Sequence, residues 1–170
     1  MADVPDAARL PQVAIFDDAD DAIEHYLKHG WTDGQRFLEY AERAPSEILG
    51  MEPTKGRVIT AEKVAINAVM AGCKPEYLPV VLAGCEAVAT DLFNIHGVAA
   101  TTQFAGPVLI VNGPIRHQLE INSGYGCFGP GWQANATIGR ALRLLLINVG
   151  GAIPGVQDMS VMGQPSKYTM

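Results

Sequence analysis

Basic residues are scarce in this sequence and never cluster. Twelve Lys and Arg stand against eighteen Asp and Glu in 170 residues, a formal net charge of −6. Without a basic stripe to neutralise phosphates, nucleic-acid binding is not expected. Long apolar runs are also missing. None approaches the roughly 20 residues that span a bilayer, so no membrane partner is expected. The opening MADVPDAARLPQ carries early acids and no apolar core, which speaks against a signal peptide. Cysteine is sparse: Cys73, Cys85 and Cys127 form an odd, widely spaced set. No CxxC or zinc-type pair can be drawn from them, and reduced thiols in a cytoplasm are the expected state. Charge as a whole is low, 18% against 48% apolar residues. That balance predicts a globular chain with part of its surface hidden in an oligomer.

What is present reads as a single α+β domain, with two mostly buried apolar helices packed with a short-stranded sheet. Residues 1–45 read as a polar N-terminal helical segment and 46–170 as the core. Within the first, Asp17, Asp18, Asp20, Asp21 and Glu24 lead into a short exposed helix over 22–29. A second helix is expected over about 33–43, capped by Thr32 and ended by Pro45. A short strand is expected at 47–51. Thr60 caps a helix that Gly72 stops, and its interior is apolar nearly all round. Another helix starts at Pro75 and runs to about Ala89, with Pro79 still inside its first turn. Residues 98–102 and 107–111 read as strands. The longest apolar helix is expected over 136–149, stopped by Gly150 and Gly151.

The segment that draws attention is 122–135, NSGYGCFGPGWQAN. Gly124–Gly129 matches GxGxxG by letter, but no strand runs into it and Pro130–Gly131 follow where a helix should begin. No acid lies about 20 positions on, so the dinucleotide reading is rejected. Small residues instead let the backbone approach a ligand. Asn135 reads as the N-cap of the following helix, whose free N–H groups and dipole make an anion site. Asn122, Ser123, Gly124, Asn135, Thr137 and Arg140 are the expected substrate-binding residues. Arg140 and Arg143 share one face of an apolar helix, and a buried guanidinium needs an anionic partner. Glu62, Glu86 or Glu120 would supply it structurally; a ligand carboxylate or phosphate would supply it functionally.

Candidate catalytic groups are Lys63, Glu62, His117, Cys73 and Cys127. Lys63 suits an amine base if buried, or a snorkelling salt-bridge residue if not. Buried Asn67 needs hydrogen-bond partners. Cys73, between a helix stop and Lys74–Pro75, is placed for a stabilised thiolate, although small buried cysteines are common. Cys127 is exposed by its glycine-rich setting, and Cys85 reads as core. His117, beside Arg116 and near the loop, is a better general base than the isolated His96. His25 and His29 stand four apart beside Glu24 but lack an HExxH frame, so no metal site is expected. No cofactor is indicated. Asn135–Ala136–Thr137 is also a formal glycosylation sequon.

Three stretches, TAEKVAINAVMAGCKPEYLPVVLAGCEAV, VLIVNGPIRHQLEINSGYG and ANATIGRALRLLLINVGG, carry a resemblance. Over residues 46–170 the chain resembles the larger, N-terminal part of the UGSC-type (seleno)protein family, named for a Sec/Cys–Gly–Ser–Cys motif. That motif is absent here, so the redox chemistry of the family name attaches to no residue of this chain. The resemblance implies that Glu62, Lys63, Asn67, Cys73, Asn122, Ser123, Asn135 and Arg140 belong to characteristic motifs. It also implies a second subunit carrying the missing C-terminal region, and hence a hetero-oligomer. The expected function is one subunit of a two-component enzyme that holds a small anionic, carboxylate-type substrate for lyase, hydratase or hydrolase chemistry. A thiol-redox protein using Cys73 or Cys127, and a non-catalytic structural subunit, are the alternatives.

Overall fold

The computed structural model describes residues 34–169. The helix expected over 22–29, the Thr32 cap and the His25/His29 pair lie outside the described residues. The first described helix, α1, is Gly34–Tyr40, and its Phe37 and Leu38 are buried in the main core. The core therefore reaches back past the boundary expected at residue 45.

Two strands follow, β1 (Ile48–Glu52) and β2 (Arg57–Thr60), paired antiparallel with Met51 opposite Val58 and an irregularity between Ile48 and Gly50. Gly50 is required by close packing: a Cβ there would stand 2.5 Å from that of Ala89. Helix α2 (Ala61–Met70) begins where expected, with the Thr60 hydroxyl accepting from Lys63 N–H at 3.3 Å. A 3₁₀ turn at Pro75–Tyr77 runs into α3 (Leu78–Val88), which tolerates Pro79 because an initial-turn N–H has no partner to lose. Short helices α4 (Ile95–Ala99) and α5 (Pro114–Gln118) precede the long α6 (Gln133–Asn148).

Helices α2, α3 and α6 form the centre. α2 and α6 run antiparallel. At the start of α6 Gln133 donates to the Gly72 carbonyl and the Cys73 thiol to that of Thr137; at its end Asn148 donates to Asn67 at 2.6 Å, and Arg57, just ahead of α2, reaches the carbonyls of Asn148 and Val149. Asn67, wholly buried, also donates to the Lys63 carbonyl at 2.8 Å, which satisfies its amide. Val64, Leu78, Leu82, Leu142 and Leu145, from all three helices, belong to one buried apolar cluster. Each fully buried aliphatic side chain contributes about 1.5–3 kcal/mol.

Two expectations are corrected. Residues 98–102 are not a strand: 95–99 is the helix α4, opened by the Asn94 side chain accepting from Gly97 N–H. Residues 107–111 keep a strand's alternating exposure but pair with no strand among the described residues, so the sheet there has two strands rather than the three expected, and the partner of β1 is β2, which was not expected.

Arg143 does not pair with Glu62, Glu86 or Glu120. Its guanidinium donates to Asp158 at 2.8 Å and to the Ala152 carbonyl at 3.0 Å, deep in the protein. Lys167 approaches the other Asp158 oxygen at 3.0 Å, and the Ser160 hydroxyl donates to that same oxygen at 2.6 Å. Burial alone would raise the Asp158 carboxyl; hydrogen bonds from Ser160 and Lys167 outweigh it and hold the group below its ordinary value. Burial likewise lowers Arg143, opposed by the charge of Asp158. A carboxylate with a depressed folded pKa stabilises fully above its unfolded value, about 3.9, and that contribution is lost as pH falls through the folded value. Asp158→Ala is expected to cost about 3–5 kcal/mol by urea denaturation at neutral pH, because it strands a buried guanidinium. The gap from the parent chain should close as pH drops below about 4.

Candidate functional site

Between residues 108–111, the glycine-rich loop and the first turns of α6 lies a half-open cavity of about 80 Å³. Its apolar wall includes Val108, Val111, Ile121, Phe128 and Ile138, and its polar groups are Cys127, Asn135 and Thr169. Cavities that enclose a whole drug-sized ligand run to several hundred Å³. This one has room for no more than the end of such a molecule, and its wall includes the half-exposed Phe128.

Asn135 builds the site, though not as a cap. The helix begins two residues earlier, at Gln133, with Trp132 preceding it and no side-chain cap. Asn135 thus sits inside the first turn with its amide free to reach sideways. Its Oδ1 accepts from Asn122 N–H at 2.9 Å, and its Nδ2 donates to the carbonyls of Asn122 at 2.9 Å and Cys127 at 3.1 Å. These three bonds fasten both ends of the loop to the helix. Within the loop the Asn122 side chain accepts from Gly124 N–H and donates to the Tyr125 carbonyl, each at 2.9 Å. Gly126, at φ +72°, makes a turn that a side chain would strain. Among the described residues the backbone N–H groups of Gln133, Ala134 and Asn135 have no hydrogen-bond partner, as expected for the first turn of a helix without a side-chain cap.

The other sequence candidates divide. Ser123 and His117 meet one another through Arg116, which donates to the Ser123 hydroxyl at 2.8 Å and stands 2.9 Å from His117 Nε2. This group is exposed and does not line the cavity. Thr137 faces the other way: its hydroxyl bonds the Gln133 carbonyl of its own helix, and its carbonyl accepts from Cys73. Arg140 is turned to the C-terminal segment, stacked 4.4 Å above the Tyr168 ring and donating to the Tyr168 carbonyl. Glu62 and Lys63 lie near the far end of α6, where the Lys63 ammonium donates to the Val58 carbonyl. The helix between is about 20 Å long, so they are not brought to the loop.

Cys73 is corrected from its expected thiolate character. Burial pushes its thiol up to about 11, with the Thr137 hydrogen bond pulling modestly the other way. Burial raises Cys85 further, and Glu86 adds to it. No group of three metal-binding side chains occurs among the described residues.

Several wall residues were not singled out from the sequence: Val108, Ile121, Ile138 and above all Thr169, whose hydroxyl donates to the Ala136 carbonyl. Only the strand-like apolar run at 107–111 hinted at any of them. Comparison with protein-family models, with curated proteins and with solved structures finds no match.

Asn135→Ala is expected to free the loop, raising hydrogen exchange at 122–129 while α6 stays protected. The stability cost should be about 1–3 kcal/mol, the range for stranded buried hydrogen-bonding groups. At neutral pH Cys73 should react with iodoacetamide far more slowly than an unperturbed thiol, which peptide mass mapping would show.

Proposed function

We propose that this chain binds the carboxylate end of a small, largely apolar molecule in the cavity at the start of α6, as one subunit of an enzyme of the lyase, hydratase or hydrolase type. The observation that carries the reading is the coincidence of three features at one place. An apolar wall, a glycine-rich loop fixed by Asn135, and unpartnered N–H groups of Ala134 and Asn135 all meet there. N–H groups at a helix start, with the helix dipole behind them, stabilise an anion without a side-chain cation. In this reading Arg140 acts indirectly, by holding Tyr168 and so the neighbouring Thr169 at the cavity edge.

The described wall contains no acid, lysine, arginine or histidine. Proton transfer at a bound substrate therefore calls for groups from outside it, which a second subunit closing the mouth would supply. The three cysteines are unpaired, which supports placing the protein in a reducing compartment such as the cytoplasm. One observation favours a thiol reading as the alternative: Cys127, half-buried, is the single thiol in the cavity wall. A Cys127→Ser chain that binds ligand but loses turnover would select it.

Titration of the isotope-labelled chain with hexanoate, hexanamide and hexanol tests the binding reading. Hexanoate should shift the amide signals of Ala134, Asn135 and Phe128, with the neutral analogues binding more weakly. Ala136→Asp, which adds an acid compatible with the first turn of a helix, should weaken hexanoate by about fivefold or more and leave hexanol unchanged. Equal binding of all three probes, or shifts confined to other surfaces, would reject an anion site here.

A further inference from the structure

Six asparagines occur in the chain, and five have their side chains committed. Asn67 donates to the Lys63 carbonyl and takes the Asn148 amide; Asn94 accepts from Gly97; Asn122 and Asn135 hold the loop. Asn112 differs in three respects at once. It is exposed, its side chain has no hydrogen-bond partner among the described residues, and the next residue is glycine. The Gly113 N–H has no partner there either. Gly113 lies at φ +88°, and a Cβ on it would meet nothing within 4 Å, so the space around it is open. The other five are followed by Ala68, Ile95, Ser123, Ala136 and Val149. Of these, the Ala136 and Val149 N–H groups are tied to the Trp132 and Leu145 carbonyls.

We infer that Asn112–Gly113 is a modification site, at which the folded chain deamidates with water as the only co-reactant. The Gly113 backbone nitrogen gives up its proton and attacks the Asn112 Cγ. The N–Cγ bond forms, the Cγ–Nδ2 bond breaks, and Nδ2 leaves as ammonia with a proton gained. Water then opens the five-membered imide at either carbonyl. One opening gives aspartate. The other gives isoaspartate, whose main chain runs through the former side chain. Nothing is oxidised or reduced. Groups held next to one another in a chain react far faster than free ones, provided they can reach each other. Glycine lacks the Cβ that would crowd the closing ring. Hydrogen bonds to an asparagine amide, or to the N–H after it, oppose that closure, and among the described asparagines Asn112 alone is free of both. The product places a negative charge in a stretch, Leu92 to Ile115, that holds no Asp, Glu, Lys or Arg. Isoaspartate also lengthens the main chain between Val111, in the cavity wall, and α5. The reaction does not depend on the ligand reading, since it needs only these two residues and water.

The full chain is aged at physiological temperature, folded and in guanidinium chloride, and its peptides are mapped by mass. Electron-transfer fragmentation separates isoaspartate from aspartate. The peptide holding Asn112 should gain about 1 Da as NH2 gives way to OH. It should do so at similar rates in the folded and unfolded chains, because the fold does not restrain it. Asn122, tied down in the fold, should react roughly tenfold faster or more once the chain is unfolded. Mildly alkaline pH should speed the reaction at Asn112, since the attacking nitrogen must be deprotonated. Asn112→Gln should remove the isoaspartate and keep the melting temperature, the side chain being exposed and unbonded. An Asn112 that stays intact in the folded chain, another asparagine that reacts as fast there, or an Asn112→Gln chain that forms isoaspartate like the parent would each overturn the inference.

Discussion

The buried carboxylate of Asp158 holds together parts of the chain that have little else in common. One oxygen takes the Arg143 guanidinium from the middle of α6; the other takes Lys167 and the Ser160 hydroxyl from the C-terminal segment. Lys167 also reaches the Val98 carbonyl, and the Ser160 hydroxyl lies between Asp158 and the Gln103 carbonyl, so α4 and the stretch after it are drawn into the same knot. A cluster like this is costly to assemble, because three charges leave water. It persists here because both cations share the one carboxylate, although the Arg143 Nε is buried with no hydrogen-bond partner among the described residues. The match fixes where the last residues run, and they in turn set Tyr168 over Arg140 and Thr169 at the cavity edge. The candidate site is thus downstream of an ion cluster that does not itself touch the cavity.

Much of the fold was legible in the sequence. Thr60 as a cap, Gly72 as a stop and Pro75 as an opener are local signals, and local signals survived. The apolar interior of α2 and the length of α6 followed from composition alone. What failed was pairing. VAATT has β-forming residues, but Asn94 starts a helix ahead of it, and that helix takes up the first two of them. PVLIV is a strand-like apolar run, yet it pairs with no strand among the described residues.

The site was legible in outline only. The cavity lies at the junction of loop and helix to which the sequence pointed, where flexible residues ahead of an apolar helix announce a fixed turn. Roles within it were misjudged because they depend on distance across the fold. Asn135 had the chemistry of a cap, yet the helix starts at Gln133, which converts it from a terminator into a fastener. Arg143 needed a carboxylate, and nothing local distinguished Asp158 from Glu62, Glu86 or Glu120. Glu62 and Lys63 share residue types with many acid–base pairs, but antiparallel packing of α2 on α6 puts them at the opposite end.

The commitment of the Asn135 amide has a practical side. Its nitrogen is spent on two carbonyls, and Asn135–Ala136–Thr137 is an acceptor sequence for N-linked sugar. Sugar is attached during translocation, before a chain folds, and it would occupy the very atom that closes the loop. Recombinant material routed through a eukaryotic secretory pathway should therefore carry a glycan wedged at the base of the loop. Bacterial cytosolic expression avoids the lesion altogether.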